Sequence, residues 1–220
     1  MKRVTLFDIQ QNNSDEDTVN MIAQERRDWT GNARSAHATL GARNYAQNER
    51  EEHDYYATDP LALELIIDKL DLSHNVWEPS CGGGHLSKVL EKHGYNVKST
   101  DLYDNGYGKS GVDFLTQTEK FNGDILTNPP YKYAKEFVEK AMQLTSGKVV
   151  MFLKLQFLEG KARRKMFEKY PPKYIYVSSG RLRCAMNGDF ERYAKSNAIC
   201  YAWYVWEKDF TGETTLRWFN

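Results

Sequence analysis

Near the middle of the chain, Asp124-Ile125-Leu126-Thr127-Asn128-Pro129-Pro130-Tyr131 ends an apolar run in an amide, two prolines and an aromatic ring. Neither proline has a backbone N–H and each fixes φ, so the pair stops a sheet ladder and stiffens the backbone while leaving its carbonyls available. The side-chain carbonyl of Asn128 and the main-chain carbonyl of Pro129 can both accept hydrogen bonds from one exocyclic NH₂, and Tyr131 offers a face for stacking. Two acceptors on an aromatic amine localise its lone pair on nitrogen and make it a better nucleophile. A proline-stiffened turn with a buried tyrosine has the same residues, so the motif gains meaning only from its surroundings.

Upstream lies Asn75-Val76-Trp77-Glu78-Pro79-Ser80-Cys81-Gly82-Gly83-Gly84-His85-Leu86, followed by Val89 and Leu90 at helical spacing. This reads as strand, glycine turn, helix. Glycines let backbone amides approach a ligand, and the helix N-terminus adds a favourable dipole. A short apolar stretch, Tyr95 to Thr100, then ends at Asp101, roughly twenty residues on, where an acidic side chain can hold a ribose diol. A third segment, Gly111-Val112-Asp113-Phe114-Leu115, sets a carboxylate beside a ring, a pair suited to an adenine amine and its ring face. The next strand delivers Asn128.

These side chains need a scaffold, and the periodicity supplies one of the α/β class. Leu61, Leu63, Leu65, Ile66, Ile67 and Leu70 predict a helix, with Pro60 in its first turn and Thr58 or Asp59 as cap. Phe137, Val138, Ala141 and Met142 give a helix face, Val149 to Leu155 a buried strand, Phe157 to Tyr170 a helix and Tyr174 to Val177 a strand. Ala198 to Trp206 is aromatic enough to be a central strand covered on both faces, and Leu216 to Phe219 adds a terminal one. Residues 1–54 are polar and read as a partly ordered N-terminal arm, leaving residues 55–220 as one domain.

The 220 residues carry no net charge, yet the charge is uneven: between Lys154 and Lys195 eleven Lys and Arg face four Asp and Glu. Such a face suits a phosphate backbone. Arg181, Arg183, Arg192 and Lys195 share a loop with Phe190 and Tyr193, so the loop can contact nucleic acid and present a second ring opposite Tyr131. Cys81, Cys184 and Cys200 are far apart, with no paired Cys or His spacing, which argues against a disulfide framework or a metal site. No apolar run reaches the roughly 20 residues of a membrane helix and the start lacks a signal-peptide core, so the expectation is a soluble, cytoplasmic protein without a membrane partner.

Glycine turn, acidic strand end, Asp-Phe and Asn-Pro-Pro-Tyr occur here in the order found in amino-methyltransferases. From about Tyr55 onward the chain resembles the DNA adenine-N6 methyltransferases, particularly the small phage- and prophage-type enzymes of bacterial or phage-infected cells. The resemblance implies a Rossmann-like class I methyltransferase fold, with a seven-stranded, mostly parallel sheet whose last strand is reversed. It also implies S-adenosyl-L-methionine as cofactor and DNA as partner. On that reading Tyr56 and Thr58 help hold the methionine part, and Glu78, Ser80, Gly82 and Gly84 form the glycine motif, with Glu78 facing the cofactor's amino group. Asp101 takes the ribose, Asp113 and Phe114 the adenine; Asn128, Pro129 and Tyr131 hold the target amine. Cys81 stands where the family often has another small residue and is read as packing. Target choice is expected from the arm, from the Gly180 to Asn197 loop, or from a second subunit in a homodimer. An RNA base, a protein glutamine amide or a catalytically silent DNA-binding module stay open as alternatives, because the same acceptors suit any planar amine.

Overall fold

Strands β5 (Lys148–Lys154) and β8 (Tyr201–Glu207) pair antiparallel along their whole length. Both are apolar on both faces, and the alternation of a pleated strand sends their side chains into two different cores. Val150, Phe152, Trp203 and Val205 enter one, while Val149, Met151, Leu153, Tyr204 and Trp206 enter the other. A strand so buried can only lie inside a sheet covered on both sides.

The computed structural model describes residues 56–180, 182, 184–186 and 199–220. The N-terminal arm and the loop residues Arg181, Arg183, Phe190, Arg192, Tyr193 and Lys195 fall outside the described residues. The remaining strands of the main sheet are β2 (Asn75–Glu78), β3 (Asn96–Ser99), β4 (Asp124–Thr127), β6 (Tyr174–Val177) and β9 (Thr215–Trp218). The spatial order is β3-β2-β4-β5-β8-β6-β9. Every neighbouring pair is parallel except those made by β8, which runs against the rest. The sheet thus has the expected seven strands with one reversed, and β9 is the added terminal strand at its edge. Two further strands, β1 (Tyr56–Thr58) and β7 (Cys184–Met186), form a separate antiparallel pair.

Helices α1 (Leu61–Glu64), α2 (Ile67–Leu70) and α3 (His85–Lys92) pack on one face, and α4 (Ala134–Leu144) and α5 (Lys161–Lys169) on the other. Three elements differ from the sequence expectation, each for a visible reason. The helix expected across Leu61 to Leu70 is broken in two because the indole N–H of Trp203 donates to the Ala62 carbonyl at 2.9 Å. That carbonyl would otherwise accept the Ile66 N–H, which turns instead to Leu63 O at 3.0 Å. The segment around Asp113 is not a strand: the Asp113 carboxylate accepts the Leu115 N–H at 2.9 Å and starts a 3₁₀ turn over Phe114–Thr116. The helix expected from Phe157 begins only at Lys161, after a separate 3₁₀ turn, because Gly160 adopts φ +113° between the two.

Asp124 opens the central motif yet sits at the N-terminal end of β4, away from the prolines. Its two buried oxygens accept the backbone N–H groups of Ser73 and Lys148, each at 2.6 Å, tying β4 to the turns beside β2 and β5. Hydrogen bonds to a buried carboxylate contribute about 1.5–3 kcal/mol each. Asp124→Ala should therefore lower the free energy of unfolding by about 3 kcal/mol or more, read from urea titration. A change under about 0.5 kcal/mol, the size of an ordinary surface substitution, would show that these bonds are dispensable.

Candidate active site

The chain enters the sheet at β2, moves outward to β3 and then returns to the other side of β2 as β4. Parallel strands whose connections leave in opposite directions open a crevice at their C-terminal ends. A cavity of about 440 Å³ lies there, within the range of small-molecule sites. Thr58, Glu78, Ser80, Asp101, Asp113, Phe114, Asn128, Pro129 and Tyr131 all line it. Residues read from five separate stretches of sequence thus share one space.

The two sides of the crevice are fastened together at its floor. Ser80 Oγ lies 2.7 Å from Thr127 Oγ1 and 3.2 Å from the Asn128 carbonyl oxygen, within hydrogen-bonding reach of both. This contact joins the glycine turn to the Asn-Pro-Pro-Tyr turn. Asn128 is oriented from above by β1: its amide NH₂ donates to Thr58 Oγ1 at 2.9 Å and lies 3.9 Å from Cys184 Sγ on β7. With the NH₂ held by Thr58, the side-chain carbonyl is the Asn128 atom suited to accept from a ligand.

The glycine turn works differently from the expectation. Gly82 and Gly84 shape the crevice rather than line it, and their amides are used internally. The Gly82 N–H donates to an Asp101 oxygen at 2.8 Å, and the Gly84 N–H to the Cys81 carbonyl at 2.8 Å. Gly84 adopts φ +76° at the start of α3, and a Cβ there would collide with the Tyr107 ring. The turn therefore needs glycine for its shape and for room. Asp101 accepts a second amide, that of Tyr103, at 2.9 Å. Each oxygen keeps a further lone pair for a ligand.

Glu78 is buried at the end of β2, and the Ser87 hydroxyl donates to it. Burial is the main cause that pushes its carboxyl up to about 8; the Ser87 bond opposes the shift, and the nearby Asp101 charge adds to it. Cys81 is buried and pushed up to about 12, mostly by desolvation, so its thiol is no nucleophile at neutral pH and packs as expected. Phe114 is buried edge-on against Trp77, with ring centroids 5.2 Å apart, and also contacts Phe137 at 4.9 Å. Among the described residues no group of three or more His, Cys, Asp or Glu is placed to hold a metal ion. No helix there is long and apolar enough to cross a membrane.

Tyr131 is held by groups that sequence reading did not assign to it. The Lys154 ammonium lies 4.0 Å from the centroid of its ring, and the Tyr131 and Tyr201 hydroxyls are 3.3 Å apart. Burial raises the Tyr131 phenol well above its ordinary range, with Cys184 the next contributor. Lys154, counted in sequence toward a basic outer face, instead stands at the end of β5 opposite Tyr201 in register. A cation at this distance occupies one face of the ring, so a stacked ligand must use the other. The register of two strands distant in sequence carried this information, and no local motif announced it. The backbone of Tyr56 belongs to β1, whereas its side chain lies outside the described structure.

No protein-family model matches the sequence, and no curated protein matches it. Solved structures do match by shape. A predicted O-methyltransferase from Agrobacterium tumefaciens is 12% identical, over 73% of this chain and 85% of its own, with a TM-score of 0.51. A candidate hemolysin from Lactococcus lactis is 13% identical over 72% of this chain and 91% of its own, also with a TM-score of 0.51. A magnesium protoporphyrin IX methyltransferase from Synechocystis, solved with bound S-adenosylmethionine, is 11% identical over 87% of this chain and 92% of its own, with a TM-score of 0.46. Strand order, the reversed strand β8 and the two neighbours with a TM-score of 0.51 define the Rossmann-like class I methyltransferase fold.

The raised Glu78 carboxyl has a consequence for stability. The folded state holds the proton more tightly than an unfolded glutamate near 4.5, so stability present below pH 4.5 is lost as pH rises toward about 8. Relative to Glu78→Gln, the wild type should lose a few kcal/mol between pH 5 and pH 8 in urea unfolding. Parallel pH profiles for the two proteins would mean that Glu78 is ionised throughout.

Proposed function

We propose that this chain transfers a methyl group from S-adenosylmethionine to the N6 amine of adenine in DNA. The observation that carries the reading is Asn128, fixed through Thr58 at the end of β4, with Pro129 and Tyr131 on the same cavity as the buried carboxylates Glu78 and Asp101. The donor set fits the cofactor. Glu78 suits an ammonium group, Asp101 a ribose diol, and Asp113 with Phe114 an adenine amine and ring. When bound, S-adenosylmethionine supplies a sulfonium methyl group open to direct displacement by an amine.

The protein's part is orientation and electrostatics. A base stacked in a duplex cannot reach a recessed cavity, so the target must swing out at a cost of a few kcal/mol. Stacking on Tyr131, worth about 1–3 kcal/mol, offsets part of that. The Asn128 and Pro129 carbonyls would accept hydrogen bonds from the two amine N–H groups, localising the lone pair on nitrogen. The proton that the methylated amine sheds would pass to water. The order of the motifs supports DNA adenine as the target, but the same two acceptors serve an RNA adenine or a glutamine amide.

Labelled methyl transfer to duplex DNA, single-stranded DNA, RNA and total protein in parallel tests the reading. N6-methyldeoxyadenosine in the DNA digests is the expected product; label confined to RNA or protein would overturn the substrate, and no label at all would favour a silent binding module. Asn128→Ala should cut turnover at least about a hundredfold, as loss of a preorganised polar contact does elsewhere. Cofactor affinity in equilibrium binding should stay near wild type, and loss of both together would make Asn128 structural. Tyr131→Ala should diminish the fluorescence change of 2-aminopurine at the target position, and an unaltered signal would remove Tyr131 from the stack. Because an ammonium ligand needs Glu78 ionised, cofactor affinity should rise with pH up to about 8. A flat profile would separate Glu78 from the amino group.

A further inference from the structure

The turn that carries Tyr131 into the cavity carries a second tyrosine to its rim. Tyr131–Tyr133 forms one 3₁₀ turn, closed by the Tyr133 N–H donating to the Pro130 carbonyl at 2.9 Å. A 3₁₀ helix advances one-third of a circle per residue, so residues two apart point in different directions. Tyr131 is half-buried against Lys154 and Tyr201, whereas Tyr133 remains 43% exposed while still lining the cavity. Both ends of the turn are fixed, by the two prolines before it and by α4 after it, whose Ala134, Phe137 and Val138 are buried.

Two features around Tyr133 point to its partner. Lys132, exposed beside it, holds its ammonium 5.1 Å from the Tyr133 ring centroid. Across the cavity lining, Tyr103 offers another ring, 40% exposed, from the segment that follows Asp101. Its backbone is fixed by the Tyr103 N–H bond to that carboxylate. Aromatic faces combined with a cation are what a nucleic-acid strand requires, since every base has a π-face and every linkage a phosphate.

We propose that Lys132 and Tyr133 form a docking rim for the DNA strand that carries the target. Tyr133 stacks on the base beside the vacated position, and Lys132 pairs with the adjoining phosphate. The proposal rests on the functional reading above and extends it to how the strand is held. On this view one rigid turn receives the target on its inner ring and the neighbouring base on its outer ring. Its two tyrosines act two residues apart in sequence.

The test uses the full chain, a sheared genomic DNA duplex as methyl acceptor, and a fluorescent random-sequence duplex for binding between 50 and 200 mM salt. Tyr133→Ser should raise the KM for DNA about tenfold with kcat little changed, and Tyr133→Phe should restore it, since stacking needs the ring and not the hydroxyl. Lys132→Ala should lower the slope of log affinity against log salt by about one, the signature of one lost phosphate contact. Cofactor affinity should match wild type in all three. Unchanged KM and salt slope with an active wild type would overturn the rim alone. Variants that lose cofactor binding would show these residues to be packing, which also overturns it. A wild type that transfers no methyl group to DNA would overturn both this proposal and the functional reading beneath it.

Discussion

Everything at the candidate site depends on β2 having parallel neighbours on both sides. The chain leaves β2 toward β3 in one direction and comes back as β4 in the other, so the connections part and the strand ends face an open crevice. The ladder between β2 and β4 fixes the spacing of the two sides along the strands, and polar contacts extend that tie at both strand ends. At the N-terminal end of β4 Asp124 accepts two backbone amides; at the crevice end Ser80 reaches across to Thr127 and the Asn128 carbonyl.

Burial of carboxylates around the cavity follows from the same geometry. Glu78 and Asp101 sit at adjacent strand ends, and each would repel the other if both were ionised in a dry pocket. Asp101 accepts two backbone amides, whereas Glu78 is desolvated by burial and accepts from Ser87. Glu78 therefore holds a proton that a cationic ligand displaces, and affinity for a cation is coupled to that proton leaving.

Much of this was legible in the sequence because it was local. The proline pair, the glycine turn and the strand-end aspartate are each set by a few neighbouring residues; the prolines and Asp101 line the cavity, and the glycines shape it. Tertiary contacts decided what local pattern could not. The break between α1 and α2 comes from Trp203, some 140 residues away, capturing the Ala62 carbonyl. The segment around Asp113 turns rather than extends because the Asp113 side chain finds an amide two residues on. Lys154 looked like one more charge in a basic run; only the register of β5 against β8 brings it to Tyr131. Thr58 gained its partner, Asn128, through β1 packing beside a strand that the sequence had presented as a loop.

The pairing of β1 with β7 changes what the Asn-Pro-Pro-Tyr turn is. Read alone, the turn is a short stiff loop at the end of a strand, with its amide free to rotate about two bonds. In the folded chain, Thr58 from one side strand takes the Asn128 NH₂, and Cys184 from the other lies against it. Lys154 and Tyr201 from the central strands fix the ring of Tyr131. An amide that must present its carbonyl to a ligand gains most from having its NH₂ committed elsewhere, since a flipped amide would offer a donor to a donor. Residues from four strands, β1, β5, β7 and β8, thus converge on two side chains. Proline removes backbone freedom from the turn, and these contacts remove side-chain freedom, so the acceptors are set before any ligand arrives.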